Sequence, residues 1–196
     1  MRNEKLEFER DFMKQKIGII YSSVDGQTKK ISEKLVANLN EKQIETKIYS
    51  IENFNDDLSE FHTLIIGASI RYGTHNKRIL EFISKNKNYL NEIKTAFFSV
   101  NLVARKEEKN SAKTNPYLIK FLKKTDWNPD FLEVFAGKLD YKSYSLIDRI
   151  MIKLIMKLTD GPTKSDKPLD FTDWKKVNDF GLRISEDYKS TKHNTV

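Results

Sequence analysis

Short apolar runs alternate along the chain with segments whose apolar residues recur every three or four positions. KIGIIYS (16–22) is short and apolar and predicts a buried strand. The next segment predicts a helix over 27–40, with Ile31, Leu35 and Leu39 on one face. The alternation then repeats. Strands are expected over 44–51 (IETKIYSI), 62–69 (HTLIIGAS), 94–100 (KTAFFSV) and 131–139 (FLEVFAGKL). Helices are expected over 76–90, with Ile79, Phe82, Ile83 and Leu90 inward, over 115–124, and over 172–188, with Trp174, Val177, Gly181 and Ile184 on one side. The helix at 115–124 has proline near its start, where a missing N–H costs little. Five short strands alternating with helices predict an α/β fold with a five-stranded parallel sheet and helices on both faces.

The pattern divides the chain into one domain over 16–189, an N-terminal extension over 1–15 and a C-terminal tail over 190–196. About thirty residues near 140–171 exceed what such a sheet needs. Within them SLIDRIMIKLIMKL (145–158) predicts an inserted helix before the last one. Ser145, Arg149, Lys153 and Lys157 are spaced by four and form one narrow stripe, while nearly everything else is apolar. That apolar face is too broad for an ordinary surface helix. At roughly 21 Å for fourteen residues it is too short to cross a bilayer. Two readings stand: a core element with a wetted stripe, or a helix lying in a membrane surface with Arg149, Lys153 and Lys157 against anionic headgroups.

Composition narrows the chemistry. The 196 residues include no cysteine, which excludes disulfides, thiolate metal sites and cysteine nucleophiles. Three histidines, at 62, 75 and 193, lack metal-ligand spacing, so no metal site is expected. The net charge of +7 points to an anionic partner. The first fifteen residues are charged throughout and do not read as a signal peptide, and no run of eighteen apolar residues occurs.

Ligands of open parallel sheets bind beyond the carboxyl ends of the strands, where the strand order reverses. The loop after the first strand carries Ser22, Ser23, Asp25, Gly26, Gln27 and Thr28 at a helix N-terminus. Hydroxyls, close backbone N–H groups and the helix dipole suit a phosphate monoester. The plainer reading is that Ser and Asp cap the helix. Neither G-x-G-x-x-G nor a P-loop lysine is present. The loops after the third and fourth strands, GASIRYG (67–73) and SVNLVARK (99–106), fall on the same edge. They offer Ala68, Ser69, Ile70, Arg71, Tyr72 and Gly73, and Ser99, Val100, Asn101, Leu102 and Val103. Two walls beside a phosphate cradle fit a flat ring with a phosphate tail, the shape of flavin mononucleotide (FMN).

The S-x-D-G-Q-T loop resembles the phosphate loop of flavodoxins, with Asp25 where threonine is common. IGASIRYG, FFSVNLVARK, TNPYLIKFL, DRIMIKLIMK and TDW together resemble the menaquinone-dependent protoporphyrinogen IX oxidases of bacteria, over about residues 16–185. The resemblance implies a flavodoxin-like fold, bound FMN and six-electron oxidation of protoporphyrinogen IX to protoporphyrin IX in haem biosynthesis. It implies electron delivery to menaquinone or another quinone, and a cytoplasmic protein held at the inner face of the cell membrane. Arg71, Arg105 and Lys106 lie on the basic loops, and arginine grips a carboxylate in a fork, as the substrate's propionates require. Rival readings are an electron-carrier flavodoxin, whose usual acidic surface disagrees with the charge here, and a nicotinamide-dependent quinone reductase of the same fold. Nucleic-acid binding would explain the charge but not the three loops.

Overall fold

The structure is a computed structural model that describes residues 16–193. The expected extension over 1–15 lies outside the described residues. Of the expected tail, residues 190–193 continue the last helix and 194–196 lie outside.

Strands β1 (Lys16–Ser22), β2 (Thr46–Ser50), β3 (Phe61–Arg71), β5 (Lys94–Asn101) and β6 (Phe131–Ala136) form one parallel sheet in the order β2–β1–β3–β5–β6. This is the flavodoxin-type doubly wound order, with its reversal between β1 and β3. Helices α1 (Gln27–Glu41) and α5 (Trp174–His193) cover one face. There Ile31, Leu35, Val177 and Phe180 pack on Ile17, Ile19, Ile65 and Phe98. Helices α2 (Lys77–Leu90) and α3 (Pro116–Thr125) cover the other, where Ile79, Ile83, Leu118 and Phe121 meet Ile20, Leu64, Ile66 and Phe97. The β-strands are apolar on both sides because both faces are covered. Ser22 pairs with Ala68, Ala68 with Ser99 and Ser99 with Val134, so the strands end level and their following loops lie side by side.

Two features differ from the periodicity. A two-residue strand β4 (Thr74–His75) folds back on β3. Tyr72 and Gly73 at its turn both have positive φ, 49° and 78°, as tight hairpin turns require. The expected strand 131–139 also splits after Ala136. Its end, β7 (Lys138–Leu139), pairs antiparallel with β8 (Leu169–Asp170) in a separate two-stranded sheet. Thr172 Oγ1 donates to the Ala136 carbonyl at 2.8 Å just beyond it. The insertion therefore leaves and rejoins the fold at one place. It carries α4 (Leu146–Leu158), whose N-cap Ser145 accepts from the Asp148 N–H at 3.2 Å. Leu139, Tyr141, Tyr144 and Met156 give the insertion a small core of its own.

Candidate active site

Helix α1 begins at Gln27 without any side-chain cap. Its N-cap position is Gly26, at φ 81°, a conformation that L side chains rarely adopt. The capping role expected for Ser and Asp is therefore not what this loop does. Ser23 Oγ and Thr28 Oγ1 are shielded from solvent and have no hydrogen-bond partner. These orphaned hydroxyls and the free N–H groups at the start of a fifteen-residue helix are donors that an anion could use. The Asp25 carboxylate in this loop is paired with Arg71 Nη1 at 3.1 Å. The Gln27 amide turns to Thr172 Oγ1 at 2.8 Å and Asp170 Oδ1 at 3.1 Å, tying the helix start to the end of β8.

One cleft gathers Asp25, Gln27 and Thr28 from the first loop, Ser69 to Gly73 from the second and Val100 to Val103 from the third. Ser22, Ala68 and Ser99, also expected there, are buried in their strands. Ser99 has a different task. Its hydroxyl is 2.9 Å from His75 Nε2, and Asn101 Oδ1 accepts from the Ala104 N–H at 3.0 Å and from Asn115 Nδ2 at 3.2 Å. This buried network shapes the turn that follows β5. Burial pushes the His75 pKa down to about 3, so the ring bonding Ser99 is neutral.

Periodicity did not show that α4 roofs this cleft. Asp148, Met151, Ile152 and Ile155 line it, with Tyr117, Gly137, Lys138 and Tyr144. The unusual breadth of apolar residues in 145–158 was the available signal: the helix serves the cleft on one side and solvent on the other. Polar clasps hold both its ends. At the N-terminal end Arg71 pairs with Asp148 as well as Asp25, and Tyr72 and Ser145 donate to the Asp148 carboxylate. The Tyr72 hydroxyl foremost, with Ser145 and Arg71, holds that carboxyl below the usual carboxylate range. At the C-terminal end Arg105 donates to the Leu102 carbonyl at 2.8 Å, the Thr159 carbonyl at 2.6 Å and Thr159 Oγ1 at 2.8 Å. Lys106 pairs with Asp160 at 3.1 Å. Arg71 thus lines the cleft, whereas Arg105 and Lys106 are not among its lining residues and fasten the roof.

The outward face of α4 is apolar. Leu146, Ile147 and Leu158 are 75%, 72% and 75% exposed, and Ile150 and Leu154 are exposed with them. Only Asp148 and Met156 of the helix are buried, so it is not a core element. The expected cationic stripe divides. Arg149 and Lys153 are half-buried against the insertion's own loops, with Arg149 Nη2 donating to the Tyr144 carbonyl at 3.3 Å, while Lys157 is exposed. Among the described residues no helix is long and apolar enough to cross a membrane.

The family model for the flavodoxin domain matches residues 18–166. The chain is 42% identical over 168 residues to the protoporphyrinogen IX dehydrogenase (quinone) of Escherichia coli strain K12, covering 85% of this chain and 93% of that protein. The protein of the same name from Leishmania major is 39% identical over 164 residues, 83% of this chain and 71% of that one. Among solved structures, oxidised flavodoxin 2 of Bacillus cereus superposes with a TM-score of 0.55 at 16% identity, over 88% of this chain and 99% of that one. An archaeal flavodoxin superposes with a TM-score of 0.52 at 16% identity, over 89% and 99%. Those two share the fold; the first two share sequence along nearly the whole domain. The chain belongs to the flavodoxin-domain family and, within it, to the family of the protoporphyrinogen IX dehydrogenases (quinone).

Proposed function

We propose that this protein oxidises protoporphyrinogen IX to protoporphyrin IX with FMN as cofactor and a membrane quinone as electron acceptor, in haem biosynthesis. The observation that carries this reading is 42% identity along 93% of a relative bearing that activity in its name, in a chain whose three loops meet at one cleft. The donor set fits FMN. Ser23, Thr28 and the first N–H groups of α1 would hold the phosphate, and Ile70, Tyr72, Leu102 and Val103 would flank the ring. Bound FMN supplies the two-electron redox chemistry that links the tetrapyrrole to the quinone. Six electrons and six protons leave the substrate in all, and three quinones carry them away as quinols. Arg71 stands at the cleft with a guanidinium suited to a propionate. Met151, Ile152 and Ile155 of the roof keep water from the reacting ring. The acceptor dissolves in lipid, and the exposed apolar face of α4 supports a peripheral attachment at the inner face of the cell membrane.

The test is anaerobic appearance of porphyrin fluorescence after protoporphyrinogen IX is added to flavin-loaded protein, with and without a menaquinone analogue. Quinone-dependent fluorescence is expected, with no oxidation of NADPH by the same preparation. Rapid NADPH oxidation without porphyrin formation would make it a nicotinamide-dependent quinone reductase instead.

A further inference from the structure

A second concavity, of about 270 Å³, lies on the far side of α4 from the cleft. Lys142, Arg149, Lys153 and Lys164 line it, with Asp166 the one carboxylate among the lining residues. Two other cations beside the insertion are matched: Lys138 pairs with Asp140 and Lys106 with Asp160. Among the described residues these four have no such partner within ion-pair distance. Arg149 Nε is shielded from solvent and has no hydrogen-bond partner, a costly state for a charged donor unless a ligand completes it. The floor is organised. The Lys153 ammonium sits 6.0 Å from the centre of the Tyr141 ring, and the Tyr141 hydroxyl donates to the Pro162 carbonyl at 2.7 Å. That bond pins the loop that brings Lys164 opposite the helix.

Position on the helix says what kind of anion belongs there. At roughly 100° per residue, Arg149 and Lys153 border one edge of the exposed apolar arc, beside Leu146 and Ile150. Met151 and Ile155 border the opposite edge, at the cleft. A mostly apolar ridge, with the exposed Lys157 its one charge, therefore runs between a cationic hollow and the redox cleft. A ligand that satisfies hollow and ridge together is anionic at one end and apolar at the other.

We infer that this concavity binds the phosphate of an anionic phospholipid headgroup, and so sets the angle at which α4 meets the bilayer. The inference rests on the membrane attachment proposed above. With a headgroup phosphate between Arg149 and Lys164, Ile150 and Leu154 lie at the acyl boundary and the Met151 edge of the cleft faces the lipid. Quinone then reaches the cleft without entering water.

The test uses flavin-loaded protein and vesicles of phosphatidylcholine, alone or mixed with phosphatidylglycerol. The variant is Lys142→Gln with Lys164→Gln, neither residue being on α4 or at the cleft. Its control is Lys123→Gln with Lys124→Gln on α3, which removes the same charge from elsewhere. The wild type is expected to prefer the anionic vesicles. The hollow variant should lose on the order of tenfold of that preference, with binding to neutral vesicles unchanged, and the control should keep it. Equal losses in both variants, or none in the hollow variant, overturn the site while leaving membrane attachment standing. If inorganic phosphate abolishes the preference at constant ionic strength, and titrates the wild type but not the hollow variant, the hollow takes free phosphate and the lipid assignment falls. If the wild type ignores both kinds of vesicle, the attachment itself fails, and this inference with it.

Discussion

Thr28 illustrates how much one hydroxyl position can carry. Its Oγ1 is buried, unpartnered and one residue inside a helix that lacks a cap. A hydrogen bond to a charged group is worth about 1.5–3 kcal/mol. Thr28→Val should therefore weaken FMN binding by at least tenfold while the protein stays folded. Flavin fluorescence quenching on titration measures this, and full retention of flavin would move the cradle elsewhere. His75 makes a different prediction. Its folded pKa of about 3 lies below the ordinary 6.5, so between those values the unfolded chain binds a proton that the native state refuses. Stability is then undiminished above pH 6.5 and falls as the pH drops below it. Between pH 7.5 and 5 this one group should remove about 2 kcal/mol. His75→Gln should shrink the difference in unfolding free energy between the two pH values by that amount; an unchanged difference would mean that His75 opens to solvent. Thr28 was legible in the sequence, because a helix start names its own N-terminal loop. The bond between His75 and Ser99 was not, because twenty-four residues and a helix separate them in the chain.

At the scale of elements, α4 is held chiefly by polar groups at its two ends, since only Asp148 and Met156 are buried along it. Asp148 is the common point of the N-terminal clasp, taking Arg71, Tyr72 and Ser145 together. Asp148→Asn removes the charge that Arg71 meets and leaves Arg71 with Asp25. Amide exchange over 146–152 should accelerate several-fold, while amides of β1, β3 and β5 keep their protection. Unchanged exchange in α4 would mean that the cluster around Tyr141 and Met156 holds the roof unaided. Arg71 then serves two elements, and Arg71→Ala should both loosen α4 and raise the KM for porphyrinogen by more than tenfold, a charge-assisted contact being lost. A change in exchange without a change in KM would leave Arg71 a structural clasp alone. The apolar breadth of 145–158 announced an unusual helix, and its length excluded a bilayer span. Which edge of it met the cleft depended on where β7 and β8 join, and no local pattern encodes a two-residue pairing.

The whole molecule joins a parallel sheet, a cleft lined by the loops beyond its strands and a helix with a largely apolar outer face. If the outer face of α4 delivers the cleft to a lipid-dissolved acceptor, Ile147→Ser with Leu154→Ser should slow turnover with quinone embedded in vesicles several-fold. Turnover with a water-soluble quinone should stay unchanged, because neither residue lines the cleft. Equal slowing with both acceptors would place the face in catalysis or folding instead. The order of apolar runs and amphipathic helices was enough to state a five-stranded parallel sheet covered on both faces, since strand and helix periods differ and right-handed crossovers leave few arrangements. It was enough, too, to bring three loops to one edge, because every parallel strand ends on the same side. Tertiary structure alone decided the tasks of the cations. Arg71, Arg105 and Lys106 share loops and charge in the sequence, yet one faces the cleft and two bind the end of α4. Arg149, Lys153 and Lys157 share a stripe, yet two turn toward a hollow and one toward solvent. A long flexible side chain takes whichever carboxylate, carbonyl or ring the fold brings within a few ångströms, and that distance is a property of packing between segments far apart in the chain.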